Sequence, residues 1–143
     1  MESLFGGEAF QTYATCVAIL AIKMMLSGVY TGVQRWRNQA YATPEDARNA
    51  GIEWKSADDV ERALRIQRND LENIPLFIGL GLLYVLSGGS GFGMAAYGWT
   101  FVVARIGHTV SYALANQPVR GLSFAVGLLV NLGLALNVLA KNF

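Results

Sequence analysis

The sequence predicts an all-α membrane protein, built as a bundle of four transmembrane helices in each subunit. Three observations carry this prediction. Of the 143 residues, 53% are hydrophobic and only 15% are charged, whereas soluble domains carry about 25% charged residues. Long apolar segments recur along the chain and are separated by polar or turn-forming stretches. Most basic residues fall between the first two segments, and a chain of this length forms one domain, residues 1–143.

The first apolar segment runs from about residue 10 to residue 34 and is interrupted only by Lys23. It exceeds the roughly 20 residues that a helix needs to cross a bilayer. Acidic Glu2 and Glu8 precede it, and it is longer than the apolar part of a signal peptide, so we interpret it as a retained transmembrane helix. A lysine at this depth predicts an internal carboxylate or carbonyl partner.

The second helix is expected over about residues 60–86 and has two unlike halves. The apolar half, IPLFIGLGLLYVL, rises only about 20 Å, less than the roughly 30 Å of a hydrocarbon core. Either this helix fails to span the membrane, or the charged half over residues 61–73 completes the crossing. Charges at that depth cannot face lipid. The charged half is therefore expected to face other helices, including those of another subunit.

The third and fourth helices are expected over about residues 94–114 and 120–140. The turn-forming SGGSGFG precedes the third helix, and NQP ends it because proline disfavours simple helical continuation. The third helix contains Arg105 and His108, and the fourth is rich in Leu, Val and Gly. Small residues allow helices to approach closely in a membrane. The glycines expected to do so are Gly79, Gly81, Gly127 and Gly133.

The basic residues predict the orientation of the bundle. They follow the first segment, whereas the turn after the second segment carries no charge. Because positively charged connections stay in the cytoplasm, the loop over about residues 36–58 and the third connection are expected there, with both termini outside. The basic residues in question are Arg35, Arg37, Arg48, Lys55, Arg62, Arg65 and Arg68.

Composition also excludes several classes of function. A net charge of +1 provides no basic field for a nucleic-acid partner. The single cysteine, Cys16, excludes an intrachain disulfide and every multi-cysteine metal site, and the single histidine, His108, leaves no histidine cluster for zinc. We interpret Cys16 as a small apolar filler.

The charged half of the second helix predicts a binding site. At about 100° per residue, its polar side chains Arg65, Arg68, Asn69 and Glu72 share one narrow arc. Two guanidinium groups, an amide and a carboxylate would suit a zwitterion with additional carboxylates. The alternative is a solvated helix face with pairs such as Arg68–Glu72.

RIGHTVSY in the third helix repeats this pattern, because Arg105, His108 and Tyr112 share a face. An arginine inside an apolar span is a candidate functional residue. Alternatively, Arg105 pairs with Glu72 or Asp70 and holds the bundle together, His108 makes a helix contact and Tyr112 lies at the interface.

Arg120, in QPVRG, also has two interpretations. It either anchors the fourth helix at the lipid headgroups or stabilises a bound thiolate.

These motifs together resemble the MAPEG family, the membrane-associated proteins of eicosanoid and glutathione metabolism. IKMM, ATPEDA, VERALRIQRNDLENI, ARIGHTVSY and QPVRG occur in the family's order from Ile22 onward. The resemblance implies a homotrimer of four-helix subunits that binds glutathione between neighbouring subunits near the cytoplasmic side. The glutathione contacts that it implies are Arg35, Arg65, Arg68, Asn69, Glu72, His108, Tyr112 and Arg120.

The resemblance also implies roles in catalysis. Arg120 would stabilise the thiolate with Asp46 nearby, while Arg105 and Lys23 would support the site. The implied activity is a glutathione transferase and peroxidase that acts on lipophilic substrates, with glutathione as cosubstrate and no metal. The membrane would be the endoplasmic reticulum in a eukaryote or the inner membrane in a bacterium.

Two branches of the family share features with this chain. Arg68 and the short loop before Glu61 resemble the prostaglandin E synthase branch, whereas NDLENI, GLLY and QPVRG resemble the microsomal glutathione transferases. Gly121 stands where the synthase branch has a serine, Gln67 replaces a usual histidine, and the proline of NIPLF lies one residue early. Glutathione-dependent isomerisation of a prostaglandin endoperoxide is the alternative activity. A non-enzymatic lipid-binding scaffold and a small channel are further alternatives.

Overall fold

A computed structural model describes residues 6–142, and every regular element in this part of the chain is an α-helix, which confirms the predicted all-α class. Glu2 lies outside the described residues. Four long helices and one short helix follow one another along the chain. They are α1 (Glu8–Asn38), α2 (Pro44–Asn49), α3 (Asp58–Leu86), α4 (Gly91–Ala113) and α5 (Gln117–Asn142).

Two of these helices, α1 and α5, are long and apolar enough to cross a membrane. The helix α4, which the sequence also suggested as a span, does not reach the same hydropathy, because glycines, aromatic residues, Arg105 and His108 lie among its apolar residues. All four long helices nevertheless expose large apolar side chains, more than 60% exposed at Met25, Leu71 and Val103. An apolar surface this widely distributed suits a membrane protein better than a soluble one.

The connection after α1 is not only a loop. The helix α1 ends at Asn38, where Gln39 adopts a left-handed conformation with φ of 50°. The short helix α2 then begins at Pro44, and the hydroxyl of Thr43 accepts a hydrogen bond of 3.3 Å from the backbone N–H of Asp46. Proline suits the first turn of a helix and threonine suits its cap. The loop expected over residues 36–58 therefore contains a helical turn.

The helix α3 is continuous from its charged half to its apolar half, although it contains Pro75. It ends where Gly88 adopts φ of 72°, and the ammonium of Lys141 in α5 donates to the carbonyl of Gly88 at 2.8 Å. The polar arc and the apolar half thus belong to one continuous helix.

The core lies where α1, α3, α4 and α5 pack together. Phe77 of α3 and Phe101 of α4 stack with ring centroids 4.4 Å apart. Cys16 of α1 is fully buried against Gly98 of α4, where a Cβ would lie 2.8 Å from the sulfur. The interpretation of Cys16 as a small buried filler is confirmed.

Candidate functional site

A buried ion pair joins α1 to α3 beside the predicted site. Lys23 pairs with Asp70, and the hydroxyl of Ser27 lies 3.2 Å from Asp70 Oδ2 as a further donor. The expectation that Lys23 has an internal carboxylate partner is confirmed. Within residues 6–142 it is the one ion pair shorter than 4 Å, so the Arg68–Glu72 pair considered above is not formed there.

Arg105 is completely buried, and it bonds neither Glu72 nor Asp70. Its Nη1 donates to Asn69 Oδ1 at 2.6 Å, and its Nη2 donates to the carbonyl of Ser123 at 3.3 Å. The pairing of Arg105 with a carboxylate was therefore wrong. This arginine links α3, α4 and α5 through neutral oxygens and has no access to solvent.

The charged arc of α3 borders a cavity of about 450 Å³. Arg65, Arg68 and Glu72 are exposed on it, beside apolar Leu64 and Leu71. Asn69 does not line this cavity, because its amide oxygen is turned to Arg105. Three residues of the predicted arc thus line the cavity, and the fourth, Asn69, accepts a hydrogen bond from buried Arg105 instead.

A second cavity, of about 460 Å³, lies beside the junction of α4 and α5. Arg120 places its guanidinium 4.5 Å from the ring centroid of Tyr112, a cation–π contact. Arg65 lines both this cavity and the first one, so the two adjoin. Arg62 also lines it and was missed in the sequence, although it precedes Arg65 by three residues and so shares its side of the helix.

His108 lies behind this second cavity. It is only 3% exposed, its ring centroid is 5.1 Å from that of Tyr112, and its Nδ1 has no hydrogen-bond partner. In a single chain, His108 therefore does not line the cavity itself but packs against the Tyr112 ring, which does.

Two predicted residues lie apart from this group. Arg35 lines a cavity of about 930 Å³ at the end of α1, together with Trp36, Ile52 and Lys55. Asp46 is exposed on α2 and lines none of these three cavities. One chain alone does not bring Arg35 and Asp46 together with Arg68 and Arg120.

Comparison with known proteins identifies the group to which this arrangement belongs. The MAPEG family model matches residues 13–140. The chain belongs to the MAPEG family.

Curated MAPEG relatives align along nearly their whole length. Prostaglandin E synthase of Equus caballus is 37% identical over 139 residues, covering 95% of this chain and 91% of the relative. Microsomal glutathione S-transferase 1 of Homo sapiens is 40% identical over 146 residues, covering 97% and 94%. The Mus musculus protein of that name is 42% identical with the same coverage. These relatives carry the names of two different enzymes, and the overall match alone does not separate them.

Proposed function

We propose that this chain is a membrane-bound glutathione transferase and peroxidase that activates the thiolate of glutathione against lipophilic electrophiles and hydroperoxides. One observation carries the proposal. Two adjoining cavities share Arg65 and are lined by four guanidinium groups and two carboxylates. These groups belong to Arg62, Arg65, Arg68, Arg120, Glu61 and Glu72.

The charges of glutathione complement this lining. The tripeptide has two carboxylates, one ammonium group and a thiol that reacts as a thiolate. Arg65 and Arg68 can bind carboxylates in the two-pronged geometry that guanidinium favours, and Glu72 can accept from the ammonium. Asn69 and His108 would complete the polar surroundings.

In this proposal, Arg120 stabilises the thiolate. Its guanidinium lies over the Tyr112 ring, which limits its motion. A fixed positive charge near the sulfur raises the thiolate fraction and stabilises developing charge in the transition state. In transfer, the sulfur forms a bond to an electrophilic carbon as the leaving group departs with the electron pair. With a hydroperoxide, the sulfur attacks the terminal oxygen, the O–O bond breaks, and the alkoxide leaves and takes a proton to become an alcohol. A second glutathione then reduces the resulting glutathione sulfenic acid to glutathione disulfide and water.

A homotrimer would complete the site. We propose that the four long helices span the membrane and that glutathione binds in clefts between subunits, facing the cytoplasm. Arg35 and Asp46 would then come to the cavities of α3 from a neighbouring subunit. An assembly of this kind also covers the charged arc of α3, which cannot face lipid. The open apolar surface would contact membrane lipid and admit the second substrate, in the endoplasmic reticulum or a bacterial inner membrane.

Isomerisation of a prostaglandin endoperoxide is the second candidate function. It is favoured by the relatives named prostaglandin E synthase, which are 37% identical across 95% of this chain. In that reaction glutathione would be regenerated as a cofactor. Gly121 offers no hydroxyl beside Arg120, and this absence favours transfer over isomerisation.

A panel of activities on the purified protein tests the proposal. The substrates are a chlorinated aromatic, a lipid hydroperoxide and a prostaglandin endoperoxide, each with and without glutathione. We expect glutathione-dependent turnover of the first two, and dominant turnover of the endoperoxide would favour the second candidate. Protein-free detergent micelles with glutathione serve as the control. Absence of turnover with every substrate, together with no effect of glutathione on the melting temperature, would contradict both.

A further inference from the structure

Asn69 lies on the charged arc of α3, where it lines neither of the two adjoining cavities and its amide oxygen accepts from buried Arg105. We propose that Arg105 and Gly127 are positioning residues that fix the side-chain amide of Asn69 as a hydrogen-bond donor toward glutathione. This inference rests on the proposed function and specifies how one of its binding residues works.

The orientation of the Asn69 amide follows from its partner. A guanidinium group has N–H donors and no acceptor, so the atom of Asn69 that faces Arg105 must be the oxygen. The observed bond, from Arg105 Nη1 to Asn69 Oδ1, is 2.6 Å long. The amide nitrogen of Asn69 is then left over, and within residues 6–142 it donates no hydrogen bond to the protein.

Arg105 is itself held at both terminal nitrogens, whereas its buried Nε has no hydrogen-bond partner within the described residues. It is fully buried, its Nη2 donates to the carbonyl of Ser123, and its guanidinium lies 5.5 Å from the ring centroid of Phe101. A Cβ at Gly127 would lie 2.6 Å from Nη2 and 3.1 Å from Cζ of Arg105. Alanine is favoured over glycine inside a helix. The glycine in α5 thus makes room for the guanidinium at some cost in helix propensity.

A fixed donor has a consequence for ligand recognition. The free N–H of Asn69 can bind an acceptor, such as a carboxylate or a peptide carbonyl of the tripeptide, and it cannot bind an ammonium group. Arg65 and Arg68 lie on the same arc and also only donate. The ligand's ammonium is then left to the carboxylates that line the same cavity, Glu61 and Glu72. The fixed orientation of the Asn69 amide would therefore help to determine the orientation in which glutathione binds.

Asn69→Asp tests the fixed donor directly. Aspartate has nearly the same shape and still offers an oxygen to Arg105, but it has no N–H. We expect the Kd for glutathione, measured by isothermal titration in detergent, to rise about tenfold or more, the loss typical of one hydrogen bond to a charged acceptor. The value of kcat at saturating glutathione should stay within about twofold. Gln67→Glu adds the same charge at a residue that itself lines the cavity, so it measures the effect of a negative charge beside the ligand with the Asn69 donor intact.

Gly127→Ala tests whether Gly127 fixes Arg105 and, through Arg105, the amide of Asn69. A methyl group there must displace Arg105, so we expect the Kd for glutathione to rise in this variant. In the Asn69→Asp background, Gly127→Ala should raise the Kd no further, because the donor is already absent. Gly79→Ala is the matched control, because nothing lies within 4 Å of a Cβ at that position. The close helix contact predicted for Gly79 is thus not made within the described chain.

Each outcome is informative. Equal Kd values for Asn69→Asp and Gln67→Glu would contradict the positioning role of Arg105 and Gly127 but not the proposed function. Additive effects of the Gly127 and Asn69 substitutions on the Kd would do the same. If wild-type protein fails to bind glutathione, both the proposed function and the positioning role of Arg105 and Gly127 are contradicted. If Gly127→Ala does not fold, the comparison of Asn69→Asp with Gln67→Glu still decides.

Discussion

Arg120 is the residue whose chemistry can be separated most cleanly from binding. Its guanidinium lies over Tyr112 and lines one cavity, while Arg68 and Glu72 line the other. We expect Arg120→Ala to lower kcat by about 10²-fold, as removal of one electrostatic stabiliser does in other enzymes. Glutathione should still bind, because its carboxylates use other arginines.

The measurements for this variant are steady-state turnover and glutathione titration on the same preparation. Arg48→Ala, which removes an exposed arginine on α2, is the control for loss of a positive charge. Unchanged turnover in Arg120→Ala would rule out its role at the thiolate. Loss of glutathione binding with turnover would make it a binding residue instead.

Between elements, α1 and α3 are joined by the buried pair of Lys23 and Asp70. Removing one partner of a buried pair leaves an uncompensated charge, which costs about 3–5 kcal/mol. We expect Lys23→Met to lower the melting temperature in detergent markedly, and Lys23→Met combined with Asp70→Leu to recover much of that loss. Lys55→Met, at an exposed lysine, is the control. A single variant as stable as wild type would show that the pair does not hold these helices.

The contact between α1 and α4 depends on two small residues. A methyl group at Gly98 would lie 2.8 Å from the sulfur of Cys16 but 3.6 Å from its Cβ. Gly98→Ala alone should therefore lower the melting temperature, because a packed interface does not accept an added methyl group without strain. Adding Cys16→Ala should restore it. Gly32→Ala, where a Cβ meets nothing within 4 Å, is the control, and equal melting temperatures for both glycine variants would contradict the close approach.

The elements and the polar arc could be predicted from the sequence because both follow from local spacing. Helical periodicity placed Arg65, Arg68 and Glu72 together, and the cost of burying a charge predicted a partner for Lys23. Which partner each buried group has depends on how the helices are rotated against one another. For that reason the bond of Arg105 to Asn69 was not predicted, and the carboxylate partners of the alternative interpretation, Glu72 and Asp70, were wrong.

At the scale of the whole molecule, a ligand that binds only the folded protein must stabilise it. Glutathione at about 100 times its Kd should add about 2.7 kcal/mol to the free energy of unfolding. We therefore expect glutathione to raise the melting temperature in detergent, and S-methylglutathione, which has no free thiol, to do so as well. Glycylglycine at equal concentration is the control. No shift with glutathione at saturating concentration would contradict the binding site.

The distance of Arg35 from the other predicted residues leads to a test of the assembly. Arg35 lines a cavity at the end of α1, whereas Arg68 lines one on α3. If each site takes Arg35 from one subunit and Arg68 from its neighbour, Arg35→Ala and Arg68→Ala damage different sides of the same cleft. Each variant alone should then have little activity. In each trimer that contains both variants, one of the three clefts, about one third, should carry both arginines.

The measurement is turnover by co-expressed variants, purified through two different tags so that only mixed assemblies are retained. We expect activity well above that of either variant alone, since some clefts regain both side chains. Co-expression of Arg68→Ala with Arg65→Ala, two residues of a single helix that line the same cavity, is the control and should give no recovery. Recovery in the control but not in the Arg35 mixture would place all three arginines in a different geometry. No recovery in either mixture would show that Arg35 acts within its own subunit or not at all.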